Sequence, residues 1–193
     1  MNPIFSAALE VQEFCRARGL RFCFIGGLAL QRWGEPRLTQ DIDVTVISGF
    51  GHEAEYADQF LSAFSHRIPD ARAFALRHRV LLLRSGNGIP LDIALGAMPF
   101  EERAVHRSVP FALTEGVSLQ VCSAEDLIVF KAFAGRAKDW LDIDGVVIRQ
   151  HGRLDQALIW RELIPLLRLK EDEQTEPRLH AILERESASG SPA

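Results

Sequence analysis

The sequence lacks the features that define several classes of protein. Its three cysteines, Cys15, Cys23 and Cys122, are odd in number and widely spaced, which predicts reduced core thiols and excludes a disulfide framework. Its six histidines form no H-E-x-x-H or comparable cluster, so we predict no zinc site. No apolar run approaches the ~20 residues that cross a bilayer, and Glu10 and Glu13 interrupt the apolar stretch where a signal peptide would lie. We therefore expect a cytoplasmic protein with no membrane partner.

An excess of positive charge is also missing. The net charge is −4 at pH 7, which argues against a protein coated in basic surface. The charge is nevertheless uneven, because residues 171–186 are acidic and seven arginines crowd the middle of the chain: Arg67, Arg72, Arg77, Arg79, Arg84, Arg103 and Arg107. This distribution is compatible with a local basic patch, although arginines scattered over solvated faces are the simpler interpretation.

The composition that remains is that of a globular protein. The chain has 193 residues, of which 47% are hydrophobic and 25% charged, and this predicts one domain or a core with a small appended subdomain. We place the core at residues 1–122, a helical subdomain at 123–186 and a disordered tail of small and polar residues at 187–193.

A glycine pair marks the first candidate site. Residues 21–25 become apolar and end at Gly26-Gly27, which fits a buried strand followed by a sharp turn. A short helix is predicted over residues 28–33, ended by Gly34 and Pro36. Backbone N–H groups at the start of such a helix attract phosphate. The pair matches neither G-x-G-x-x-G nor G-x-x-x-x-G-K-[ST], so an ordinary strand-to-helix turn is the simpler interpretation of the pair alone.

Two aspartates follow on one face of a predicted strand. Residues 41–46 alternate strictly, so Asp41, Asp43 and Thr45 share a face. Two neighbouring carboxylates repel and raise each other's pKa unless a cation lies between them. Mg²⁺, a hard ion that prefers carboxylate oxygens, is the simplest such cation. The alternative is a pair of solvated aspartates on an edge strand.

A third carboxylate, Asp92, belongs to a predicted hairpin. Residues 80–84 and 89–95 read as strands joined by a Ser-Gly-Asn-Gly turn at residues 85–88. Asp92 points away from the face of Leu91 and Ile93, and an acid within such an apolar run needs a cation or hydrogen bonds if it is buried. Its alternative is a solvated aspartate on an open sheet face.

The other elements are predicted from periodicity and turn residues. Apolar spacing indicates helices over residues 4–18, 53–65 and 99–106, a strand over 73–76, and a hairpin formed by 109–113 and 117–122. Ser123 is a predicted N-cap for a helix that runs to about Ala134. Further helices are expected over residues 140–150 and 154–169, the latter broken at Pro165.

Lysine is rare, which makes the position of each lysine informative. The chain has three lysines among 22 basic residues, and two of them are Lys131 and Lys138. Lys131 emerges beside an apolar helical stripe, where an ammonium group either snorkels to water or meets an anion. Lys138 and Arg136 are placed to contact phosphate or an acceptor, but an i,i+4 pair of Lys138 with Asp142 is an equally good interpretation. The acids at positions 139, 142 and 144 are most simply favoured by the helix dipole.

These motifs together resemble a known superfamily. Gly26-Gly27, then Asp41-Ile42-Asp43, then Asp92 is similar to the pattern of the DNA polymerase β-type nucleotidyltransferases, in which a Gly-Gly or Gly-Ser turn precedes a D-x-D strand and a later strand aspartate. More narrowly, the segments at residues 37–43, 125–131 and 136–139 resemble the AbiEii/AbiGii-type toxin-like nucleotidyltransferases. The resemblance covers roughly residues 22–144. In members with Gly-Ser the serine hydroxyl lies near the phosphates, whereas Gly27 offers only backbone donors.

The resemblance implies a fold, a reaction and a set of site residues. The fold is α+β, a short mixed sheet flanked by helices with a C-terminal helical subdomain, and the nucleotide would lie in the cleft between them. Asp41, Asp43 and Asp92 would hold two Mg²⁺ ions for in-line displacement, and Asp92 would take the proton of the attacking hydroxyl. The nucleoside triphosphate would be bound by Gly26, Gly27, Lys131, Arg136 and Lys138.

The acceptor and the partner follow from the narrower resemblance. It favours RNA, most simply tRNA, as the acceptor, with growth inhibition or phage defence as the outcome and an antitoxin as partner. One alternative is a small-molecule transferase of the aminoglycoside type, for which an acidic cleft would suit a polycationic acceptor, whereas RNA needs a basic rim. A second alternative is a non-catalytic module that binds nucleotide or a partner, although such a binder has no need of three converging acids.

Overall fold

The computed structural model describes residues 2–189 of the chain. Two compact units are present among the described residues: the first comprises residues 2–28 and 38–122, and the second comprises residues 29–37 and 123–189. In chain order the described residues form α1 (Pro3–Ala17), β1 (Phe22–Phe24), α2 (Gly26–Trp33), β2 (Ile42–Ile47), α3 (Glu53–Leu61), β3 (Ser65–His66), α4 (Ala71–His78), β4 (Val80–Arg84), β5 (Pro90–Gly96), α5 (Pro99–His106), β6 (Val109–Thr114), β7 (Val117–Val121), α6 (Ala124–Ala134), α7 (Ala137–Arg149), α8 (Gln156–Lys170) and α9 (Thr175–Ser189).

The first unit is built on a seven-stranded mixed sheet. Its strand order is β3-β4-β5-β2-β1-β7-β6. The pairs β2/β5 and β1/β7 are parallel, and the other neighbouring strands are antiparallel. Helices α1 and α5 pack on this sheet. The predicted α+β fold, a mixed sheet flanked by helices, is therefore confirmed.

The alternation of apolar and polar residues explains which side chains of the central strands are buried. In β2 the side chains of Ile42, Val44 and Val46 are buried, and Asp43 on the opposite face is half-buried. The hairpin of β4 and β5 forms as the sequence predicts, with the Ser85 N–H donating to the Ile89 carbonyl oxygen at 3.0 Å. One face of this part of the sheet is thus apolar and covered, while the other carries the aspartates.

The second unit consists of helices. α2 begins in the first unit, and its residues from Ala29 onward belong to the second. The Ser123 hydroxyl accepts a hydrogen bond from the Asp126 N–H, so the predicted N-cap of α6 is confirmed. α6 packs on α7, α8 and α9 through fully buried apolar side chains: Leu127, Ile128, Ile143, Ile159 and Leu163.

Three local predictions are wrong. The strand predicted over residues 73–76 is part of α4, because an alanine-rich segment with Ala71 and Ala75 buried four residues apart favours a helix. The helix predicted over residues 53–65 ends at Leu61, and Ser65 already pairs with Arg84 as a strand. The helix α8 is not broken at Pro165: the neighbouring side chains of Leu163 and Leu166 are buried, and their packing offsets the backbone hydrogen bond that proline cannot make.

The end of the chain is described only in part. α9 runs to Ser189, so residues 187–189 of the predicted tail are helical backbone, and residues 190–193 lie outside the described residues. Among the helices that the structure describes, none is long and apolar enough to cross a membrane.

Candidate active site

The glycine pair and the D-x-D segment contact each other closely. The Ile25 N–H donates to the Asp43 carbonyl oxygen at 3.0 Å, and Gly26 then adopts a φ of +56°, in the left-handed region. A Cβ atom on Gly26 would lie 2.0 Å from the Asp43 Oδ2 atom, which is inside any allowed contact. Gly26 is therefore required for the Asp43 carboxylate to lie against the main chain.

The second glycine makes room for a threonine. A Cβ atom on Gly27 would lie 2.3 Å from the Thr39 Oγ1 atom. The buried Thr39 hydroxyl is 3.1 Å from the carbonyl oxygen of Asp41 and 3.3 Å from its Oδ1 atom, so it can donate to either. The glycine pair thus forms the first turn of α2 and packs against the segment that leads into β2. This is a more specific role than an ordinary strand-to-helix turn.

Two of the three aspartates lie directly opposite each other. Asp43 on β2 is the register partner of Asp92 on the parallel strand β5. Register partners project their side chains to the same face of a sheet, and Asp41, two residues before Asp43, shares that face. Asp41, Asp43 and Asp92 are all half-buried. The fold therefore brings the predicted carboxylates to one face of the first unit.

The electrostatic surroundings of Asp92 show that these groups interact. Burial raises the pKa of Asp92 above its ordinary value. The guanidinium of Arg67 opposes that shift, and the negative charge of Asp41 adds to it. Asp41 and Asp92 are hence close enough to repel each other.

Arg67 is a part of this site that could not be assigned an individual role from the sequence. It follows β3, and its guanidinium donates to the Asp92 Oδ1 atom as an ion pair. In the sequence Arg67 is one of seven arginines in the middle of the chain, and no motif distinguishes it from the other six. Its proximity to Asp92 depends on the pairing of β3 with β4, which no local pattern indicates.

The donor chemistry of the three aspartates fits Mg²⁺. They offer only carboxylate oxygens, the ligands that a hard divalent ion prefers, and a cation would relieve the repulsion between Asp41 and Asp92. In the described part of the chain, no three His, Cys, Asp or Glu side chains surround one point where a metal ion could bind. Asp92 is bonded to Arg67 instead.

The predicted nucleotide ligand Lys131 lies in the second unit within a buried ion-pair cluster. Its side chain is 6% exposed, so the ammonium group does not snorkel to water. The Nζ atom lies 2.6 Å from Asp142 Oδ2 and 3.5 Å from Asp139 Oδ1. Arg37 donates two hydrogen bonds, of 3.0 and 3.1 Å, to the same Asp142 carboxylate. The anion that Lys131 meets in this structure is a pair of aspartates.

The same cluster explains why the pKa values of Asp139 and Asp142 are lowered. Burial by itself raises the pKa of Asp142, but hydrogen bonds and charges from Arg37 and Lys131 outweigh it, and the pKa lies below its usual value. The pKa of Asp139 is lowered in the same way, against burial, by Arg136 and Lys131. Asp139 and Asp142 are therefore anionic partners of a cationic cluster, a role beyond the helix-dipole effect expected from the sequence.

The two remaining predicted ligands lie at the start of α7. Arg136 is the N-cap residue, its side chain is 63% exposed, and its Nε atom donates to Asp139 at 2.6 Å. Lys138 is exposed. Asp142 pairs with Arg37 and Lys131, and the alternative pair of Asp142 with Lys138 does not form among the described residues. Both Arg136 and Lys138 are thus accessible to a ligand.

Comparison with family models identifies the chain. It belongs to the family described as nucleotidyl transferase AbiEii toxin, type IV toxin–antitoxin system, whose model matches residues 13–189. The resemblance read from the glycine pair, the D-x-D strand and the later segments is thereby confirmed, and the protein is an enzyme of the nucleotidyltransferase class. No curated protein matches the sequence.

Several solved structures are similar to this chain. An antigenic nucleotidyltransferase-like protein from Paracoccidioides brasiliensis shares 14% identity, with 93% of this chain and 90% of that chain covered and a TM-score of 0.49. ANT(2'')-Ia in complex with adenylyl-2''-tobramycin shares 15% identity, with 94% and 97% covered and a TM-score of 0.47. The lincomycin-bound lincosamide antibiotic adenylyltransferase LnuA shares 11% identity, with 73% and 94% covered and a TM-score of 0.46.

Proposed function

We propose that this nucleotidyltransferase moves a nucleoside monophosphate from a nucleoside triphosphate to a hydroxyl group of RNA, most simply tRNA, with Mg²⁺ as cofactor. It would act as the toxin of a pair with an antitoxin, in growth inhibition or phage defence. The observation that carries the proposal is the placement of Asp43 opposite Asp92, with Gly26 closed against the Asp43 carboxylate. A nucleotide-binding module without catalysis has no need of two acids placed opposite each other on neighbouring strands.

Asp41, Asp43 and Asp92 are the residues that would hold Mg²⁺. When bound, Mg²⁺ supplies neutralisation of the negative charge on the transferring phosphoryl group. Gly26 keeps the Asp43 carboxylate against the main chain, and the Thr39 hydroxyl orients the segment at Asp41. The chain thus fixes two of the three acids before any ligand arrives, which reduces the cost of ordering them.

Asp92 is the proposed general base. The acceptor oxygen forms a bond to the α-phosphorus, the bond from that phosphorus to the bridging oxygen breaks, and pyrophosphate leaves. The proton of the attacking hydroxyl goes to a carboxylate oxygen of Asp92. Burial raises the pKa of Asp92, and a carboxylate of higher pKa is a stronger base. Asp92 is also half-exposed, so an acceptor can reach it.

The triphosphate is the proposed ligand of the first turn of α2. The N–H groups of Gly26 and Gly27 lie at the start of this helix, where unpaired donors and the helix dipole attract anions. Contacts of Arg136 and Lys138 with the nucleotide are supported by their exposure. A contact of Lys131 with phosphate requires that its ammonium group leave Asp142.

The choice of RNA rests on the family rather than on surface charge. Three of the seven arginines in the middle of the chain are engaged by acids: Arg67 pairs with Asp92, Arg72 with Asp58, and Arg79 with Glu53. These pairs reduce the positive potential that a basic patch would present to RNA. The toxin description of the family is what supports a cellular macromolecule as acceptor.

Label transfer to RNA tests the proposal. The protein is incubated with Mg²⁺, total cellular RNA and each of the four α-labelled nucleoside triphosphates in turn, and the RNA is resolved by size. The matched control is Asp41→Asn/Asp43→Asn, which removes two charges and keeps the side-chain shapes. We expect one triphosphate to label tRNA-sized RNA, and only with the intact aspartates.

The other outcomes separate the alternatives. Metal-dependent binding of nucleotide without labelled RNA would contradict the RNA acceptor, and the small-molecule alternative would then be tested with aminoglycosides as acceptors. Binding of nucleotide that is equal in the intact protein and in the double variant, with no transfer to any acceptor, would favour the non-catalytic module. Equal labelling of RNA by both proteins would overturn the assignment of Asp41 and Asp43.

A further inference from the structure

Arg67 lies in register with Asp92 and Asp43 across the neighbouring strands β3, β4, β5 and β2. His66 pairs with Leu83, and the N–H of Arg67 donates to the Leu82 carbonyl oxygen at 2.9 Å, so Arg67 continues the register opposite Leu82. Leu82 is the register partner of Asp92, and Asp92 is that of Asp43. Side chains in register share a face of the sheet. The Arg67 side chain therefore crosses Leu82 and meets Asp92 on the face that carries all three acids.

The Arg67 guanidinium is incompletely bonded at this position. It is bonded to Asp92 Oδ1, and its own Nε atom is buried without a hydrogen-bond partner among the described residues. A buried donor left unsatisfied costs free energy. The Arg67 and Asp92 side chains are 22% and 34% exposed. The ion pair with Asp92 is hence the main interaction that keeps the guanidinium on this face, and it is accessible to competing ions.

The charge balance of the face gives this contact a consequence for metal binding. Asp41, Asp43 and Asp92 carry three negative charges on one face when ionised, and Arg67 supplies one positive charge at Asp92. A divalent cation and a guanidinium repel each other, and both seek the oxygens of Asp92. Binding of the metal through Asp92 therefore competes with the ion pair.

We propose that Arg67 is an internal counter-ion of Asp92 that a divalent cation must displace, so that Arg67 sets the metal affinity of the site. This inference rests on the proposed metal site and concerns a residue to which the reaction itself assigns no role. Arg67 is accordingly a positioning residue: it holds Asp92 in the absence of metal and moves away when metal binds.

The direct test is to measure the affinity for Mn²⁺ with no nucleotide or acceptor present. Calorimetry and the electron paramagnetic resonance signal of free Mn²⁺ each give this affinity. We expect Arg67→Gln to bind Mn²⁺ roughly tenfold more tightly than the wild type, because a neighbouring positive charge is removed. The matched control is Arg84→Gln, which removes the same charge from an exposed arginine whose guanidinium donates to the Gly88 carbonyl oxygen. Its affinity should change by less than about twofold.

A second variant and a second measurement guard against misfolding of Arg67→Gln. In a protein that already carries Asp92→Asn, adding Arg67→Gln should no longer raise the Mn²⁺ affinity, because the carboxylate for which the metal and the guanidinium compete is gone. In the wild-type protein, the guanidinium NMR signals of Arg67, assigned with Arg67→Lys, should shift as Mg²⁺ is added and reach a plateau at saturation. Signals that stay unchanged while Mg²⁺ saturates the site would overturn the proposal without any variant.

The outcomes distinguish this inference from the proposed function. Equal or weaker Mn²⁺ binding by Arg67→Gln, in a protein that loses Mn²⁺ binding on Asp41→Asn/Asp43→Asn, would overturn the role of Arg67 and leave the metal site in place. No Mn²⁺ binding by the wild type or by Arg67→Gln would overturn the metal site itself and the role of Arg67 with it.

Discussion

The ammonium nitrogen of Lys131 lies 2.6 Å from the Asp142 carboxylate, and both side chains are buried in the second unit. Two charges removed from water are stabilised only by good geometry and by further hydrogen bonds. Arg37 supplies such bonds to Asp142, and Arg136 supplies them to Asp139. Lys131 is thus bound to the protein's own acids in this structure, whatever it contacts when nucleotide is present.

Lys131→Met is expected to lower the free energy of unfolding by about 3 kcal/mol, because it leaves two buried aspartates with one cation fewer. Urea unfolding at pH 7 measures the change. The control is Lys170→Met. Lys170 pairs with Asp172, and the lysine side chain is 40% exposed. Loss of this pair should lower the free energy of unfolding by less than about 1 kcal/mol. Unchanged stability of Lys131→Met would contradict a structural role for the cluster.

Gly26→Ala tests the contact of the glycine pair with the D-x-D strand. A Cβ atom at Gly26 meets Asp43, whereas at Gly88, whose φ is +83°, it meets nothing within 4 Å. Both substitutions strain the backbone by about 1 kcal/mol, but only the first displaces a proposed catalytic carboxylate. We expect nucleotidyl transfer to fall roughly 100-fold in Gly26→Ala and less than threefold in Gly88→Ala. Similar rates in the two variants would show that the displacement of Asp43 has no effect.

Thr39→Val removes the hydroxyl group that reaches Asp41 and keeps the branched shape of the side chain. Loss of one such hydrogen bond corresponds to about 1 kcal/mol, so the transfer rate should fall roughly fivefold, and Thr39→Ser, which restores the hydroxyl group, should recover most of it. Rates are compared at saturating nucleotide, so that a change in binding does not obscure the result. A rate for Thr39→Val equal to that of the wild type would show that the Thr39 hydroxyl has no role in transfer.

Asp172 should make the stability of the fold depend on pH. Burial opposes its ionisation, but hydrogen bonds from the Thr175 N–H, Lys170, the Thr175 hydroxyl and the Gln174 N–H lower its pKa from 3.8 to about 2. Because the pKa in the folded state is the lower one, its contribution to stability is complete above the unfolded value and is lost as the pH falls towards 2.

Asp172→Asn should therefore destabilise the protein by about 1 kcal/mol at pH 7, as for the loss of a helix cap. The difference from the wild type should shrink between pH 4 and pH 2. Urea unfolding at a series of pH values measures it. A difference that stays constant to pH 2.5 would show that Asp172 acts through its shape rather than through its charge.

Most of the sheet face that carries Asp41, Asp43 and Asp92 could be predicted because its signals are local. Strict alternation in the D-x-D strand and the Ser-Gly-Asn-Gly turn of the hairpin each depend on neighbouring residues, and both elements formed as expected. The contact of Gly26 with Asp43 could not be predicted in detail, since it depends on how β1 and β2 pair. The glycines indicated only that something approaches the main chain.

The ion pairs could not be predicted from the sequence, and the reason is physical. Arg37 and Asp142 are 105 residues apart, and Arg67 and Asp92 are 25 apart with a strand between them. Each pair is created by tertiary packing, and nothing in the neighbouring residues distinguishes these arginines from the others. The error at residues 73–76 has a different origin, because a short apolar alternation is compatible with either a strand or a helix.

A comparison of two labels tests whether Asp41, Asp43 and Asp92 catalyse nucleotidyl transfer. The nucleoside triphosphate identified with total RNA is supplied with the label either on the α- or on the γ-phosphorus, to the wild type and to Asp43→Asn, after circular dichroism shows that both are folded. With the wild type, we expect the α-label to enter the acceptor and the γ-label to leave as pyrophosphate. With Asp43→Asn, we expect no label in the acceptor and no labelled pyrophosphate. Entry of the γ-label into the acceptor, or undiminished transfer of the α-label by Asp43→Asn, would contradict nucleotidyl transfer by these aspartates.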